Sequence, residues 1–322
     1  MLSDWLAEAI VGFTNWWPAG TMLSYTFMVK AFIAGILVSL ICGAVGSLVV
    51  GNRMAFFADA LGHTAFAGIA LGLLLGLITG APKGSFFYLH GIPFIMVTFG
   101  VVVGLAIAFV RERTGLTSDT VIGVFFAWAI GFGAVLLSAV GKRGYFRVEQ
   151  FIFGDPLAIS ETGLIVLAVL GLLTLGLLLF MYNQLLFASF NPSLARSRNI
   201  PVRLGNYLFI ALLAMIVNLC VSTVGALLIN AMLVVPAATA ANLCTNMRQM
   251  VWVSIVLSLF ASVGGIWFTF AFHPVIGGSE LELGASGVVV VITVLLFFVS
   301  MIVGPWWKNR STAPAAPAPA KA

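Results

Sequence analysis

The sequence predicts an all-α, polytopic membrane protein with about nine (eight to nine) transmembrane helices. Of its 322 residues, 61% are hydrophobic and 8% are charged, whereas roughly a quarter of the residues of a soluble domain are charged. The mean hydropathy is +1.15. Apolar runs of about 20 residues recur along the chain, each long enough to cross the hydrocarbon as a helix that satisfies its own backbone hydrogen bonds. These features exclude a soluble globular protein.

The N-terminal segment, residues 1–24, predicts a short helix lying at the membrane surface. Its Trp5, Trp16 and Trp17 stand beside a few polar residues, and indole rings favour the lipid headgroup region. The first 29 residues contain no Lys or Arg, so the start lacks the basic character of a secretory signal peptide. At the other end, residues 307–322 are expected to form a disordered cytoplasmic tail, because this segment is rich in Ala and Pro.

Residues 25–306 are expected to form one transmembrane domain. Nine apolar windows bounded by charged or turn residues lie near 25–50, 54–79, 93–110, 119–140, 158–182, 205–223, 224–243, 249–272 and 284–306. The sixth and seventh windows are one continuous apolar stretch, from Gly205 to Cys244. As a single helix it would be roughly 60 Å long, twice the hydrocarbon thickness. A bend at Ser222–Gly225 is therefore expected.

The distribution of basic residues predicts the orientation of these spans. With the N-terminus outside, ten Lys and Arg residues fall in inner segments and four in outer segments. The inner ones are Arg53, Arg111, Arg113, Arg196, Arg198, Arg203, Arg248, Lys308, Arg310 and Lys321, and the outer ones are Lys83, Lys142, Arg143 and Arg147. Cytoplasmic loops carry the excess of basic residues, so the N-terminus is expected outside and the C-terminus in the cytoplasm. The net charge of +5 is thus interpreted as topology and not as nucleic-acid binding.

Small residues recur at every fourth position along the second span. They are Thr64, Gly68, Gly72, Gly76 and Gly80. Such a stripe lets another helix approach closely in a membrane. The stripe predicts a packing surface and not a chemical site.

Two ionisable residues lie within the second span. Asp59 and His63 are four residues apart, which places them on one helical face. Their carboxylate and neutral imidazole suit a borderline divalent cation such as zinc, manganese or ferrous iron. The alternative is an intrahelical hydrogen bond that satisfies two buried polar groups. Because two ligands do not complete a coordination shell, we hypothesise a homodimer in which two second spans face each other across a twofold axis.

Three further residues are candidates for the pathway or for a hinge. Asn218 and Asn230, in the sixth and seventh spans, either line a path or form hydrogen bonds between helices. Pro236 frees a backbone carbonyl and is expected to kink the seventh span, as a hinge or as a static bend.

The sequence lacks the P-loop motif for nucleotide binding. Only Lys142 follows a glycine, and Leu136 occupies the position of the first glycine of that motif. The His-Glu-x-x-His and Gly-x-Ser-x-Gly motifs of hydrolytic enzymes are absent as well. We therefore expect a protein that is not an enzyme, with no catalytic residue and no covalently bound cofactor.

An inner segment of about 20 residues, Asn183–Gly205, joins the fifth and sixth spans. Asn191 is a suitable N-cap and Pro192 a suitable first residue for a short helix that runs to about Arg198. That helix would include Leu194, Ala195 and Arg196. A cytoplasmic helix at this place is either a docking point for a partner protein or an amphipathic connector resting on the lipid headgroups.

Several segments together resemble the permease subunits of the zinc, manganese and iron family of ATP-binding-cassette (ABC) importers. They keep the family's order over roughly residues 25–306. They are Arg53–His63 (RMAFFADALGH), Ser118–Gly123 (SDTVIG), Phe153–Asp155 (FGD), Phe190–Ala195 (FNPSLA), and Gly225–Leu228 (GALL) leading into Pro236–Ala240 (PAATA). The resemblance implies an ABC metal-importer permease fold, a metal route past Asp59 and His63, and ATPase docking by the helix at Asn191–Arg198.

The resemblance also implies import of zinc, manganese or iron across the bacterial inner membrane. The implied partners are a cytoplasmic ABC ATPase that binds ATP, an extracytoplasmic metal-binding protein, a second permease copy and membrane lipid. Because an imidazole must be neutral to bind a metal, uptake should weaken as the pH falls. Two alternatives remain open, namely a secondary metal transporter that needs no ATPase and an ABC permease for a siderophore or vitamin.

Overall fold

The computed structural model describes residues 2–82, 85–141, 154, 156–190, 202–272, 275–276, 279–280 and 283–311. Within these ranges the architecture is all-α apart from one hairpin of two-residue strands. Nine helices of the described chain are long and apolar enough to cross a membrane. The predicted all-α fold with nine spans is therefore confirmed.

Ten long helices follow one another along the described chain. They are α1 (Leu2–Thr14), α2 (Thr26–Gly51), α3 (Ala55–Ile78), α4 (Ile92–Thr114), α5 (Ser118–Val140), α6 (Glu161–Phe190), α7 (Val202–Val224), α8 (Ala226–Leu243), α9 (Met247–Ala271) and α10 (Ala285–Ser311). Strands β1 (Val275–Ile276) and β2 (Ser279–Glu280) pair antiparallel between α9 and α10. Short helical turns at Met22–Ser24, Phe87–Gly91 and Pro156–Ala158 precede α2, α4 and α6.

The helix ends differ most from the predicted windows at α6 and α10. α6 continues to Phe190, beyond the predicted end at residue 182. α10 continues to Ser311, so residues 307–311 are helical and do not belong to a disordered tail. A helix can extend past the hydrocarbon into the headgroup region, which is why the apolar window alone places both ends too early. Residues 312–322 lie outside the described residues.

The bend between the sixth and seventh spans lies where the length argument places it. α7 ends at Val224 and α8 begins at Ala226. Gly225, between them, has a φ of 95°, a backbone conformation that glycine adopts without steric cost. The division between residues 205–223 and 224–243 is confirmed.

α2 and α7 lie at the centre of the bundle. Within the most apolar stretch of each helix, 72% of α2 and 61% of α7 is buried inside the protein. The corresponding buried shares of α5 and α10 are only 28% and 22%. α2 packs against α6, α8 and α9, while α7 packs against α3, α4 and α6. The most extensive helix pair is α3 with α5. α3, which carries Asp59 and His63, is thus held between the central helices and the peripheral α5.

α1 packs against α2 and α6. Ile10 is buried in this contact, whereas Trp5 of the same helix is 66% exposed. A helix with one buried apolar residue and an exposed indole suits a membrane surface. Its position at the lipid headgroups stays a prediction.

The small-residue stripe of α3 is the surface on which α4 packs. A Cβ atom at Gly68 would lie 2.8 Å from Met96 Cα, and one at Gly72 would lie 3.4 Å from Ile92 Cα. The two backbones therefore approach more closely than larger side chains allow. Gly80, beyond the end of α3, faces open space. The predicted packing role is confirmed for the part of the stripe that faces α4.

Replacing Gly265 by Ala is expected to destabilise the bundle, while the same change at Gly264 is not. A Cβ atom at Gly265 would lie 2.9 Å from Val289 Cα on α10, so two helices must separate, at a cost of about 1–3 kcal/mol. Nothing lies within 4 Å of a Cβ at Gly264, and Ala favours a helix over Gly by up to about 1 kcal/mol. Thermal unfolding of the two purified variants measures the difference, and equal midpoints would contradict the α9–α10 packing.

Candidate metal site

Asp59 and His63 lie in the first half of α3. The distance from Asp59 Oδ1 to His63 Nε2 is 4.0 Å. This distance is beyond hydrogen-bond range, so the pair does not form the intrahelical hydrogen bond that is the alternative to a metal site. The side chains of Asp59 and His63 are 44% and 35% exposed. Both are therefore accessible from the surface of the single chain.

A third polar side chain reaches this pair from α8. Asn230 Nδ2 donates a hydrogen bond to Asp59 Oδ1 at 2.7 Å, so Asn230 forms the interhelical bond that the sequence left as one of two possibilities. The amide lies beside Gly62, in the helical turn between Asp59 and His63. Asn230 Oδ1 is buried and accepts no hydrogen bond from the described residues. A buried acceptor without a donor is rare, and this oxygen is available to a cation.

Phe126 of α5 closes the other side of His63. The two rings meet edge to face, with centroids 4.7 Å apart and an interplanar angle of 84°. The contact limits rotation of the imidazole. The sequence does not single out Phe126, because one aromatic residue in an apolar helix carries no distinguishing pattern. Three helices, α3, α5 and α8, thus contribute to the site.

The Asp59 carboxylate pairs with no Lys or Arg among the residues that the structure describes. Arg111, on the neighbouring α4, instead directs its Nη1 to Met54 Sδ and Ser118 Oγ, each at 3.4 Å. An ionisable group inside a membrane is costly without a partner. A cation that arrives at Asp59 therefore meets a negative charge that the described protein has not neutralised.

The donor atoms of the site suit a divalent metal of intermediate softness. A carboxylate oxygen, an imidazole nitrogen and an amide oxygen fit zinc, manganese or ferrous iron, whereas cuprous copper prefers sulfur. No group of three or more His, Cys, Asp and Glu side chains occurs in the described parts of the chain. The described part of a single chain thus presents an open set of donor atoms from Asp59, His63 and Asn230.

Asn218 and Pro236 are buried within the helix packing. Asn218 Nδ2 donates a hydrogen bond to the Ala214 carbonyl of its own helix at 2.6 Å, and its side chain abuts Gly100 of α4. Pro236 lies inside α8, which continues through it from Ala226 to Leu243. A hinge or pathway role for either residue stays a prediction.

The predicted docking helix lies outside the described residues, together with its candidate residues Asn191, Pro192, Leu194, Ala195 and Arg196. Shortly after these residues in the sequence, the start of α7 contacts the end of α4 through an ion pair and a hydrogen bond. Arg203 Nε lies 2.9 Å from Glu112 Oε1, and the Tyr207 hydroxyl donates to Glu112 Oε2 at 2.9 Å. This cluster is not apparent from the sequence, because Glu112 and Tyr207 are 95 residues apart.

Comparisons with known proteins point to one family. A family model described as the ABC 3 transport family matches residues 24–304. The chain belongs to the ABC 3 transport family. The match runs from just before α2 into α10 and leaves α1 outside, so the family resemblance drawn from the sequence motifs is confirmed.

Several relatives of this ABC 3 family member carry names that refer to metal transport. The manganese transport system membrane protein MntC of Halalkalibacterium halodurans is 30% identical over 292 residues, which cover 90% of this chain and 94% of MntC. The high-affinity zinc uptake system membrane protein ZnuB of Haemophilus influenzae is 29% identical over 280 residues, or 86% of this chain and 97% of ZnuB. A solved structure of PsaBC from Streptococcus pneumoniae in complex with Fab matches with a TM-score of 0.71 and 25% identity, covering 95% of this chain and 99% of that one. The expected ABC permease fold is confirmed.

Proposed function

We propose that this ABC 3 family member is the permease subunit through which an ABC importer moves divalent metal ions across the bacterial plasma membrane. The observation that carries the proposal is the cluster of Asp59, His63 and Asn230, an oxygen and nitrogen donor set within a span. Relatives named for manganese and zinc transport support manganese or zinc as cargo. Ferrous iron suits the same donor atoms.

The depth of the cluster suits a site along a metal path. α3 begins at Ala55, and at 1.5 Å per residue Asp59 lies about 6 Å and His63 about 12 Å along the helix. The hydrocarbon core is about 30 Å thick. An ion at this depth has lost part of its water shell, and the carboxylate and imidazole replace some of those ligands. An incomplete donor set holds the ion weakly enough for it to leave again.

A second copy of this chain would complete the donor set. Asp59 and His63 remain 44% and 35% exposed in the single chain. A twofold axis passing this face would bring two carboxylates and two imidazoles together, which matches the four ligands that zinc takes. We therefore include a homodimer of permeases in the proposal.

ATP hydrolysis is assigned to a separate cytoplasmic subunit, which docks on segment 191–198, where the sequence predicts a short helix. The Glu112 cluster supports a mechanical route from this helix to the metal site. α7, which begins soon after this segment in the sequence, contacts Glu112 at the end of α4 through Arg203 and Tyr207. α4 packs on the small-residue stripe of α3, and α3 carries Asp59. Movement of the docking helix is thereby passed to the metal site.

The opposite end of the bundle is assigned to delivery of the metal by an extracytoplasmic binding protein. This assignment uses the orientation with the N-terminus outside and the C-terminus in the cytoplasm, which the excess of basic residues in the inner segments supports. The ion then passes from the binding protein toward Asp59 and His63, in the cytoplasmic half of α3.

ATP-driven uptake distinguishes this proposal from a secondary transporter. Proteoliposomes would hold the full chain with its ATPase, and the binding protein would be supplied at the outer face together with radioactive manganese or zinc. Uptake is expected to require ATP at the cytoplasmic face and to continue after a protonophore collapses the proton gradient. Uptake that ignores ATP and stops with the gradient would contradict the proposal.

A further inference from the structure

A groove on the outer surface of the bundle is formed by α2, α6 and α9. Its volume is about 280 Å³, near the lower end of the roughly 300–1,000 Å³ of pockets that hold small molecules. α2 supplies the floor with Ala44 and Leu48, and the walls include Leu175 of α6 and Ile255 of α9. Such a space is too small for a whole phospholipid but suits part of one acyl chain.

One end of the groove carries a positive charge. Arg248 is exposed and, apart from Trp252, the other residues lining the groove are aliphatic. Within the described part of the chain, Arg248 forms no ion pair. It lies in the first turn of α9, where the helix dipole disfavours a cation, so helix stability does not explain its position. An anionic ligand at this end would pair with this exposed cation.

The order of residues along α9 matches the order of groups along a phospholipid. Arg248 and Trp252 are one turn apart on the same face, and Trp252 is 65% exposed. Indole rings favour the level of the headgroups and glycerol esters. Ile255 follows deeper in the helix, so the groove extends about 10 Å from Arg248. One leaflet of hydrocarbon is about 15 Å deep, and the groove therefore spans much of one leaflet.

We propose that the groove between α2, α6 and α9 binds an anionic phospholipid, with its phosphate at Arg248 and one acyl chain along Ala44, Leu175 and Ile255. This site is separate from the metal cluster, which lies on α3, α5 and α8. By the orientation proposed above, the lipid belongs to the cytoplasmic leaflet, where anionic lipids attract basic residues. A free fatty acid, a zwitterionic lipid and a second copy of the chain are the competing occupants.

Native mass spectrometry of the purified full-length transporter complex tests the proposal. The probe is an equal mixture of phosphatidylglycerol and phosphatidylcholine, with oleic acid in a parallel sample. The wild-type complex is expected to retain phosphatidylglycerol in preference to phosphatidylcholine and to oleic acid. Arg248→Ala is expected to lower the amount of retained phosphatidylglycerol about fivefold. This change in affinity corresponds to the electrostatic attraction between one basic residue and an anionic lipid surface.

Two further variants make the result specific to the groove. Arg113→Ala removes another exposed charge, from the end of α4, and is expected to retain phosphatidylglycerol like the wild type. Leu175→Trp fills the groove without changing charge and is expected to lose the bound lipid while keeping the unfolding temperature of the wild type. The proposal is overturned by equal losses in Arg248→Ala and Arg113→Ala, by unchanged binding in Leu175→Trp, by preferential retention of phosphatidylcholine or oleic acid, or by a wild-type complex that retains no lipid.

Discussion

Asp59→Asn is expected to lower metal uptake by at least about 100-fold. The asparagine keeps the size of the side chain and an oxygen that accepts the hydrogen bond from Asn230 Nδ2, but it lacks the charge that attracts a cation. His63→Ala is expected to cause a similar loss, because it removes the nitrogen donor. Loss of a group that only supports a metal ligand costs about 10–100-fold, and loss of a ligand itself costs more. Initial rates at limiting metal in the reconstituted complex measure the effect.

The matched control for this charge removal is Asp119→Asn. Asp119 is an exposed acidic residue in the first turn of α5, where its charge interacts favourably with the helix dipole. The same chemical change there is expected to alter uptake by less than about twofold, because an effect of the dipole on helix stability is small. Normal uptake by Asp59→Asn would assign the path elsewhere and would favour an organic cargo such as a siderophore or vitamin.

Asn230→Leu is expected to weaken the apparent metal affinity by about 10–100-fold, as is typical when the residue that orients a ligand is lost. The leucine has a comparable volume but neither donates to Asp59 Oδ1 nor offers the buried amide oxygen. The carboxylate then rotates freely, so more metal is needed for half-maximal uptake. The measurement is the dependence of ATP-driven uptake on metal concentration.

Asn242→Leu serves as the control on the same helix. Asn242 Nδ2 donates to Ser300 Oγ on α10 at 3.1 Å, and it lies twelve residues from Asn230, or about 18 Å along α8. It is expected to leave the metal concentration for half-maximal uptake unchanged. Equal shifts in Asn230→Leu and Asn242→Leu would assign both effects to the packing of α8 and would remove Asn230 from the metal site.

The sequence is sufficient to predict the spans because the bilayer sets their length. Nine apolar windows correspond to nine helices, and the length limit alone requires the bend that Gly225 provides. The positions of Asp59 and His63 on one face follow from helical periodicity. These features depend on local sequence and on the thickness of the membrane, and neither requires knowledge of which helices touch.

The contacts between helices are not predictable from the sequence in the same way. Asn230 reaches Asp59 from 171 residues away, and Lys30 of α2 pairs with Glu161 of α6 across 131 residues. Hydropathy shows that each polar residue lies in or beside an apolar helix, but it does not show which neighbour satisfies it. In a membrane all helix surfaces are similarly apolar, so partner choice depends on the detailed fit of small and polar residues.

Anomalous X-ray diffraction measures the position of the metal directly. Crystals of the full transporter complex grown with manganese or zinc, with data collected above and below the absorption edge of that metal, would show where the ion lies in the membrane domain. The proposal predicts an anomalous peak within coordination distance of Asp59 Oδ1 or Oδ2 and of His63 Nε2 or Nδ1, and predicts that the peak disappears in Asp59→Asn. A peak within the spans that lies away from Asp59 and His63, or one that persists unchanged in Asp59→Asn, would contradict it.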